Sequence, residues 1–380
     1  MCQSGRSSLW GGIGVSGSIL AELESICGPG AARAGRPDDS GAGFVASPAT
    51  PRSVAELLHI AVERGLSVRP RGSGSKFHWG RGGEHPDLVI DTGRLNGMWD
   101  HDGATAIVAA GTRVEAAQAV LRSHGRRLTL DPPSPGATIG GVLAMNESGP
   151  LRHRFGGPAG QALSVSLVDS AGRFAETAEW EGPSGEVLTA ALLPLEDLPE
   201  ARRWVTRPVS TPTEVGELVA QVVTQDLALS GVEVDLPAAG TGTLALLLEG
   251  PAAGVATGAG RLARQLGPRA VIRAEPPQWW GRYSFGVSDV VLRIRVRSRD
   301  LHSVGYTLRD VVGLPVPVRG SAGAGVVHAV LPRGLSAARI GDVVVALKQV
   351  LLGRGGRVVV LTAPPELAAQ MEMARPTDLL

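Results

Sequence analysis

Two glycine-rich segments hold the residue types most suited to chemistry. The first, RPRGSGSKFHWG, runs from Arg69 to Gly80. Leu66 and Val68 read as a short strand that empties into this loop, and successive backbone N–H groups in such a turn form a concave nest for a phosphate. Arg71 and Lys76 place positive charge beside Gly72, Ser73, Gly74 and Ser75. An ordinary strand-to-strand turn with solvated charges is the competing reading. The second segment, PPSPGATIGGVLAMNESGP, spans Pro132 to Pro150 and pairs a turn at Pro135 and Gly136 with the small and polar residues that follow. Glycine has no Cβ, so Gly140 and Gly141 allow a flat or anionic molecule to lie against the main chain. Thr138, Asn146 and Ser148 supply hydrogen-bonding groups around Ile139 and Gly149. A buried helix start, with glycine there for close packing, is the alternative.

Further candidates lie in the second half. Arg293, Arg295 and Arg297 alternate with Leu292, Ile294 and Val296, so a strand here puts all three guanidinium groups on one face. Such a face suits a carboxylate, although a solvated sheet surface explains it more simply. His328 in GVVHAVL is a weak candidate for a base toward a hydroxyl, and a lone strand histidine is more often structural. The chain offers no metal-ligand constellation.

Bulk properties narrow the class. With 37 basic and 36 acidic residues among 380, the charge is balanced, which argues against nucleic acid as the partner. The two cysteines, Cys2 and Cys27, are too few for a disulfide framework or an iron–sulfur cluster. No apolar run is long enough to predict a membrane span, and the glycine-broken start makes a poor signal-peptide core, so a cytoplasmic location is expected.

The elements that must hold these residues follow from periodicity. Ser53 with Glu56 predicts a capping box, Val54, Leu57, Leu58, Ala61 and Val62 form one helical stripe, and Gly65 stops it. DLVID and TAIVAAG read as strands; Thr112 with Glu115 predicts the cap of a second helix ending before Gly125. ALSVSLV and RFA form a hairpin around DSAG, and the stretch from Glu176 to Pro199 shows no clear periodicity. Thr211, Pro212 and Glu214 predict a third helix start. Beyond it, strands VEVDL, TLALLLE, AVIR, VVLRIRV, VVHAVL and RVVVL alternate with helices near 252–266, 301–311 and 337–351. This predicts a ferredoxin-like α+β layer with helices on one face and two halves that are structural repeats.

The paired loops resemble those of the p-cresol methylhydroxylase and vanillyl-alcohol oxidase superfamily, and most of all those of the FAD-binding subunit of bacterial glycolate oxidase. In the first loop Arg69, Pro70, Arg71, Gly72, Gly74, Lys76, Trp79 and Gly80 carry the likeness; in the second, Thr138, Ile139, Gly140, Gly141, Ala144, Asn146, Ser148 and Gly149. The resemblance implies an α+β fold: an N-terminal extension, partly flexible, over 1–46, a two-subdomain FAD-binding domain of the p-cresol methylhydroxylase type over 47–205, and a ferredoxin-like antiparallel cap domain over 206–380. It implies non-covalent FAD held by Pro70–Lys76 and by Pro135, Gly136, Thr138–Gly141, Asn146, Ser148 and Gly149. It further implies oxidation of a small 2-hydroxy acid, glycolate or D-lactate, with a second flavin subunit and an iron–sulfur subunit as partners. Set against the family pattern, Ser321 and Ala324 stand where a histidine and an asparagine are usual, part of the wall between Arg173 and Glu200 is shortened, and the chain stops before the closing segment that returns to the flavin domain. A scaffold subunit that has lost turnover is the alternative.

Overall fold

The computed structural model describes residues 13–39, 41–80, 85–101, 103–223 and 228–379. Cys2 and most of the glycine-broken start of the chain lie outside them. The first layer is a four-stranded sheet with order β1-β2-β4-β3, made of β1 (Ala32–Ala34), β2 (Phe44–Ala46), β3 (Val68–Arg71) and β4 (Leu88–Asp91). Helices α1 (Ile13–Cys27) and α2 (Pro51–Arg64) cover it, burying Leu23, Leu57 and Leu58 against Phe44, Leu88 and Ile90. The segment before residue 46, expected as an extension, thus supplies a helix and two strands. Helix α2 starts one turn earlier than the capping box predicts: Thr50 accepts from the Ser53 N–H at 3.1 Å, with Pro51 in the first turn, and Gly65 closes the helix at φ 64°.

The second layer is an antiparallel sheet of order β5-β6-β10-β8-β9: β5 (Met98–His101), β6 (Thr105–Ala109), β8 (Ser164–Val168), β9 (Phe174–Thr177) and β10 (Val187–Pro194). A short pair, β7 (Arg126–Arg127) with β11 (Glu196–Asp197), lies beside it. Strand β10 is the middle of the stretch that lacks periodicity in sequence. It pairs on both sides and is buried on both faces, so it has no polar face to alternate with. Helix α3 (Val114–Arg122) and helix α4 (Ile139–Ala144) pack on this sheet through Leu121, Ile139, Val142 and Leu143. Thr112 does not cap α3, which begins after Arg113; its hydroxyl is engaged with Gly97 instead. Two single-turn helices, α5 (Arg152–Phe155) and α6 (Pro158–Gln161), lead out of the second glycine segment.

The third layer is an eight-stranded antiparallel sheet. Its strands are β12 (Ala201–Val209), β13 (Leu229–Leu236), β14 (Gly242–Gly250), β15 (Val271–Arg273), β16 (Val291–Arg295), β17 (Val318–Ser321), β18 (Val326–Val330) and β19 (Arg357–Thr362). The order β15-β12-β14-β13-β17-β18-β16-β19 resolves into two βαββαβ units that meet where β13 pairs with β17. Each unit has the ferredoxin-like arrangement, so the two halves repeat one another as the element pattern predicts. Helices α7 (Pro212–Val223), α8 (Ala252–Leu266), α9 (Leu301–Val312) and α10 (Ala337–Leu352) share one face, with Leu218, Leu262, Leu308 and Leu347 in a common core with Val205, Leu246 and Ile294. Thr211 accepts from the Glu214 N–H at 3.1 Å, the expected cap of α7. Strand β12 begins at Ala201 and so crosses the residue 205/206 division drawn from sequence. After β19, helix α11 (Pro365–Ala368) turns the chain back toward the glycine loops.

The other face of the large sheet is polar and meets the first two layers. Register places Arg293 beside His328, His328 beside Arg319, and Arg319 beside Asp235; two residues along, Ser321 lies between Val326 and Glu233. Alternation along each strand puts both rows on the face away from α7–α10. Arginines at 293 and 295 therefore share a face, but only Arg293 is buried on it; Arg295 is exposed at the strand end, and Arg297 falls beyond it.

Candidate functional site

The two glycine segments come together around a cleft of about 430 Å³ whose walls include residues 67–77, Thr138, Gly140, Gly141 and Met145. Strand β3 delivers the first loop and helix α4 starts the second. The loops touch: a Cβ on Gly72 would sit 2.1 Å from Thr138 Oγ1, which leaves no room for any side chain. Gly74 turns the loop at φ 78°, a conformation glycine adopts at little cost. Among the described residues, the N–H groups of Ser73, Gly74 and Ser75 meet no protein acceptor. Backbone donors left open on a concave wall are what an anion requires.

The cations beside this loop are already engaged. Arg71 donates to Asp39 Oδ1 at 2.8 Å and to Asp91 Oδ2 at 2.9 Å. Hydrogen bonds from Arg33 and Arg71 hold the Asp39 carboxyl well below the usual carboxylate range. Lys76 is buried, with Nζ 2.6 Å from Glu147 Oε2. Arg69 lies over the Phe77 ring at 4.1 Å and donates to the Phe77 carbonyl. Arg71 and Lys76 therefore shape the loop through carboxylates that sequence reading missed. The loop N–H groups remain the open anion contacts.

The second segment divides its work. Gly141 faces the cleft: a Cβ there would lie 3.1 Å from Thr138 Oγ1 and 4.0 Å from Lys76 Nζ. Gly140 lines the cleft too, but its missing Cβ points at Ala110, 2.9 Å away, and so serves packing. The N–H groups of Ile139 and Gly140 donate to Thr112 and Ala110 carbonyls, and that of Gly141 to Thr138 Oγ1. Helix α4 thus presents no free first-turn donor at these positions. Pro135 and Gly136 line a different hollow, beside Arg127, Glu249 and Trp280, and Ile139 is in the core. Asn146, Ser148 and Gly149 leave the cleft as well: the Gly149 N–H donates to Asp131 at 3.0 Å, and Arg152 Nε donates to Ser148 Oγ. Of the expected cofactor contacts, the structure gathers Pro70–Lys76, Thr138, Gly140 and Gly141 at one place and puts the others elsewhere.

Two further walls close the cleft. Pro183 and residues 185–188, within the stretch expected to be shortened, form one. Ala374, Arg375 and Pro376 form the other: the end of the chain does return to the glycine loops, with the Gly80 N–H donating to the Leu361 carbonyl and Trp79 packed against Ala374 and Leu379.

On the far side of the Lys76–Glu147 pair lies a second, smaller cavity of about 40 Å³. Asn146, Glu147, Ser148 and Gly149 line it from one side, and the polar face of the large sheet from the other. Asn146 takes φ 44°, the one positive value at a non-glycine position among the described residues. Its Nδ2 donates to the Leu379 carbonyl at 2.8 Å, and its own carbonyl accepts from Arg152 at 2.8 Å. Arg293 donates to that carbonyl and to those of Met145 and Leu379. Among the described residues neither Arg152 nor Arg293 has a carboxylate partner, and burial pushes them down to about 10 and about 9. Both remain cations at neutral pH.

His328 sits in this cavity, edge-on to Tyr283 at 5.3 Å, and Tyr283 is in turn edge-on to Trp79 at 5.6 Å. Burial, with Arg293 and Arg152 nearby, pushes the imidazole down to about 3, so it stays neutral. Burial raises the Tyr283 hydroxyl well above its ordinary value. Glu233 faces the same space from β13, and burial pushes its carboxyl up to about 8. Its signal in sequence is the acidic residue at an inward position of VEVDL. The described residues contain no cluster suited to a metal ion, and no helix among them is long and apolar enough to cross a membrane.

The arrangement is thus a nucleotide-sized cleft with open loop donors, joined through one buried ion pair to a small cationic cavity. Residues 42–178 match the family described as an FAD binding domain. That part of the chain is thus similar to an FAD binding domain, and the cofactor is FAD. Similar curated proteins include an uncharacterised FAD-linked oxidoreductase of Mycobacterium tuberculosis, 29% identical over 136 residues, which are 35% of this chain and 30% of that protein. D-lactate dehydrogenase of Archaeoglobus fulgidus is 29% identical over 134 residues, 34% of this chain and 30% of the relative. Mitochondrial D-2-hydroxyglutarate dehydrogenase of Bos taurus is 29% identical over 124 residues, 32% of this chain and 23% of the relative. The match thus spans less than a third of the length of each of these relatives. Among solved structures, p-cresol methylhydroxylase with substrate bound superposes with TM-score 0.72 at 11% identity, covering 93% of this chain and 90% of that one. An alkyldihydroxyacetonephosphate synthase superposes with TM-score 0.65 at 14% identity, covering 95% and 84%. At such identities the likeness establishes the fold.

Proposed function

We propose that this chain is an FAD-dependent oxidoreductase that removes two electrons from a small 2-hydroxy acid, in the manner of the glycolate oxidase flavin subunit. The observation that carries this reading is the pair of guanidinium groups on buried Arg293 and half-buried Arg152, with no carboxylate partner among the described residues, at the cavity next to the flavin cleft. A buried cation without an anion is costly, and a substrate carboxylate supplies that anion with charge-assisted hydrogen bonds. Two of the relatives are named for D-2-hydroxy acids. On a scale where one water needs roughly 10–15 Å³, a cavity of about 40 Å³ favours the two- and three-carbon acids, glycolate and D-lactate.

FAD, when bound, supplies a two-electron acceptor. The open N–H groups of Ser73, Gly74 and Ser75 would hold its pyrophosphate, and Gly141 lets it approach α4. Arg293 and Arg152 orient the substrate carboxylate, and Tyr283 and Trp79 exclude water from the seam between the two spaces. Two cysteines cannot ligate an iron–sulfur cluster, so the partner reading is that electrons leave to a separate iron–sulfur subunit, beside a second flavin subunit.

Anaerobic mixing of the flavin-loaded chain with glycolate, D-lactate or D-2-hydroxyglutarate tests the proposal. Bleaching of the flavin band by the small acids supports it; retained colour with every acid overturns it in favour of a flavin-fold scaffold without turnover.

A further inference from the structure

We propose that Glu233 is the proton acceptor for the substrate hydroxyl in the cavity beside Arg152 and Arg293. The inference rests on the hydroxy-acid reading above and names a residue that no motif points to. Glu233 lies on β13 at the seam between the two sheet repeats, paired in register with Ser321 of β17. Its side chain is 7% exposed and lines the cavity, and Oε1 is buried without a hydrogen-bond partner. An orphan acceptor in a closed polar space is costly unless a ligand hydroxyl completes it.

The other groups around the cavity are less suited to the task. His328 stays neutral because burial, with Arg293 and Arg152 beside it, disfavours its protonated form, so it holds an abstracted proton poorly. Tyr283 keeps its own proton, and Glu147 is paired with Lys76. Arg319 and Asp235 are paired with each other at 2.8 Å. Burial dominates and pushes the Glu233 carboxyl up to about 8; a hydrogen bond with the Ser321 side chain pulls it down, Asp131 pushes it up and Arg152 pulls it down. A base is most effective when its pKa lies close to the working pH.

The step balances simply. With FAD bound to supply the two-electron acceptor, the C2–H bond would break with its electron pair leaving as hydride, the hydroxyl proton would pass to the Glu233 carboxylate, and the C2–O bond would become the carbonyl of a 2-oxo acid, the acid losing two electrons to the flavin. Because the carboxylate form is needed, flavin reduction in the wild type should rise with pH and level off above about pH 8.

The test compares wild type, Glu233→Gln and Glu233→Asp with FAD bound. The expected result is a loss of roughly 10²–10⁴-fold in the rate of flavin reduction for Glu233→Gln, with unchanged flavin content. The rising limb of the pH profile should vanish in Glu233→Gln and survive, displaced, in Glu233→Asp. Independently of turnover, infrared difference spectra should show a protonated carboxyl band in the wild type that titrates near pH 8 and is missing from Glu233→Gln, with Asp131→Asn as the control for its neighbour. A Glu233→Gln enzyme that is reduced as fast as wild type, or one that keeps the pH limb, overturns the role of Glu233 and leaves the hydroxy-acid reading standing. Wild type that no 2-hydroxy acid reduces overturns both.

Discussion

Lys76 Nζ lies 2.6 Å from Glu147 Oε2, and this pair is the partition between the flavin cleft and the small cavity. Both side chains are buried, and Glu147 also accepts from the Ser134 N–H at 3.0 Å, so one carboxylate ties the first glycine loop to the proline-rich turn of the second. Removing one partner leaves a charge in a low-dielectric site. Lys76→Met should cost about 3–5 kcal/mol of stability and release FAD. The double variant Lys76→Met/Glu147→Leu should regain a large part of that loss, since no charge is stranded. Thermal unfolding of the four members of the cycle, with flavin absorbance after desalting, measures both effects.

Gly140 and Gly141 are neighbours with different obligations. A side chain at 140 runs into Ala110 at 2.9 Å, within the core under α4, whereas one at 141 enters the cleft beside Thr138 and Lys76. Gly140→Val should lower the melting temperature of the FAD-free chain, because overpacking typically costs about 1–3 kcal/mol. Gly141→Val should leave that temperature close to wild type and strip the flavin. Equal flavin retention in Gly141→Val and wild type would remove Gly141 from the cofactor site.

Arg293 connects the small cavity to Leu379 through the Leu379 carbonyl at 2.9 Å. If it binds the substrate carboxylate, Arg293→Met should lower kcat/KM for glycolate or D-lactate by roughly 10–150-fold, the worth of about 1.5–3 kcal/mol in a charged hydrogen bond. Flavin content should persist, since Arg293 lies outside the cleft. Stopped-flow reduction over a range of acid concentrations separates weaker binding from a slower hydride step.

The glycine loops and the alternation of strands and helices were legible because they are local requirements of the backbone. A loop that must touch Thr138 at position 72 admits glycine, and a strand with one helix-covered face shows period two. Partners supplied from far along the chain were not. Arg71 and Lys76 look like free cations until folding brings Asp39, Asp91 and Glu147 to them. Arg293 looks like part of a solvated stripe until the first two layers cover that face. Asn146 and Gly149 share a motif with Gly141, yet the turn at positive φ after α4 sends them to the other cavity. Strand β10 was hidden by its burial on both faces, and the C-terminal return by the absence of any local motif in MEMARPTDLL.

The buried titratable groups also set how stability depends on pH. Burial raises Glu233 from its ordinary 4.5 to about 8 and Asp131 from 3.8 to about 7. Folded chains therefore keep protons that unfolded chains release, and this contribution is present below about pH 4 and lost as pH rises through 7 to 8. His328 acts in the opposite direction: lowered from 6.5 to about 3, it contributes stability that is present above 6.5 and lost as pH falls toward 3. Asp39, held low by Arg33 and Arg71, adds to the loss on the acid side. The melting temperature of the flavin-free chain should consequently decline between about pH 6.5, above which His328 no longer opposes it, and pH 8. Glu233→Gln removes one of the two carboxyls responsible and should flatten that decline, whereas an unchanged slope would show that Glu233 is already ionised in the folded chain at neutral pH.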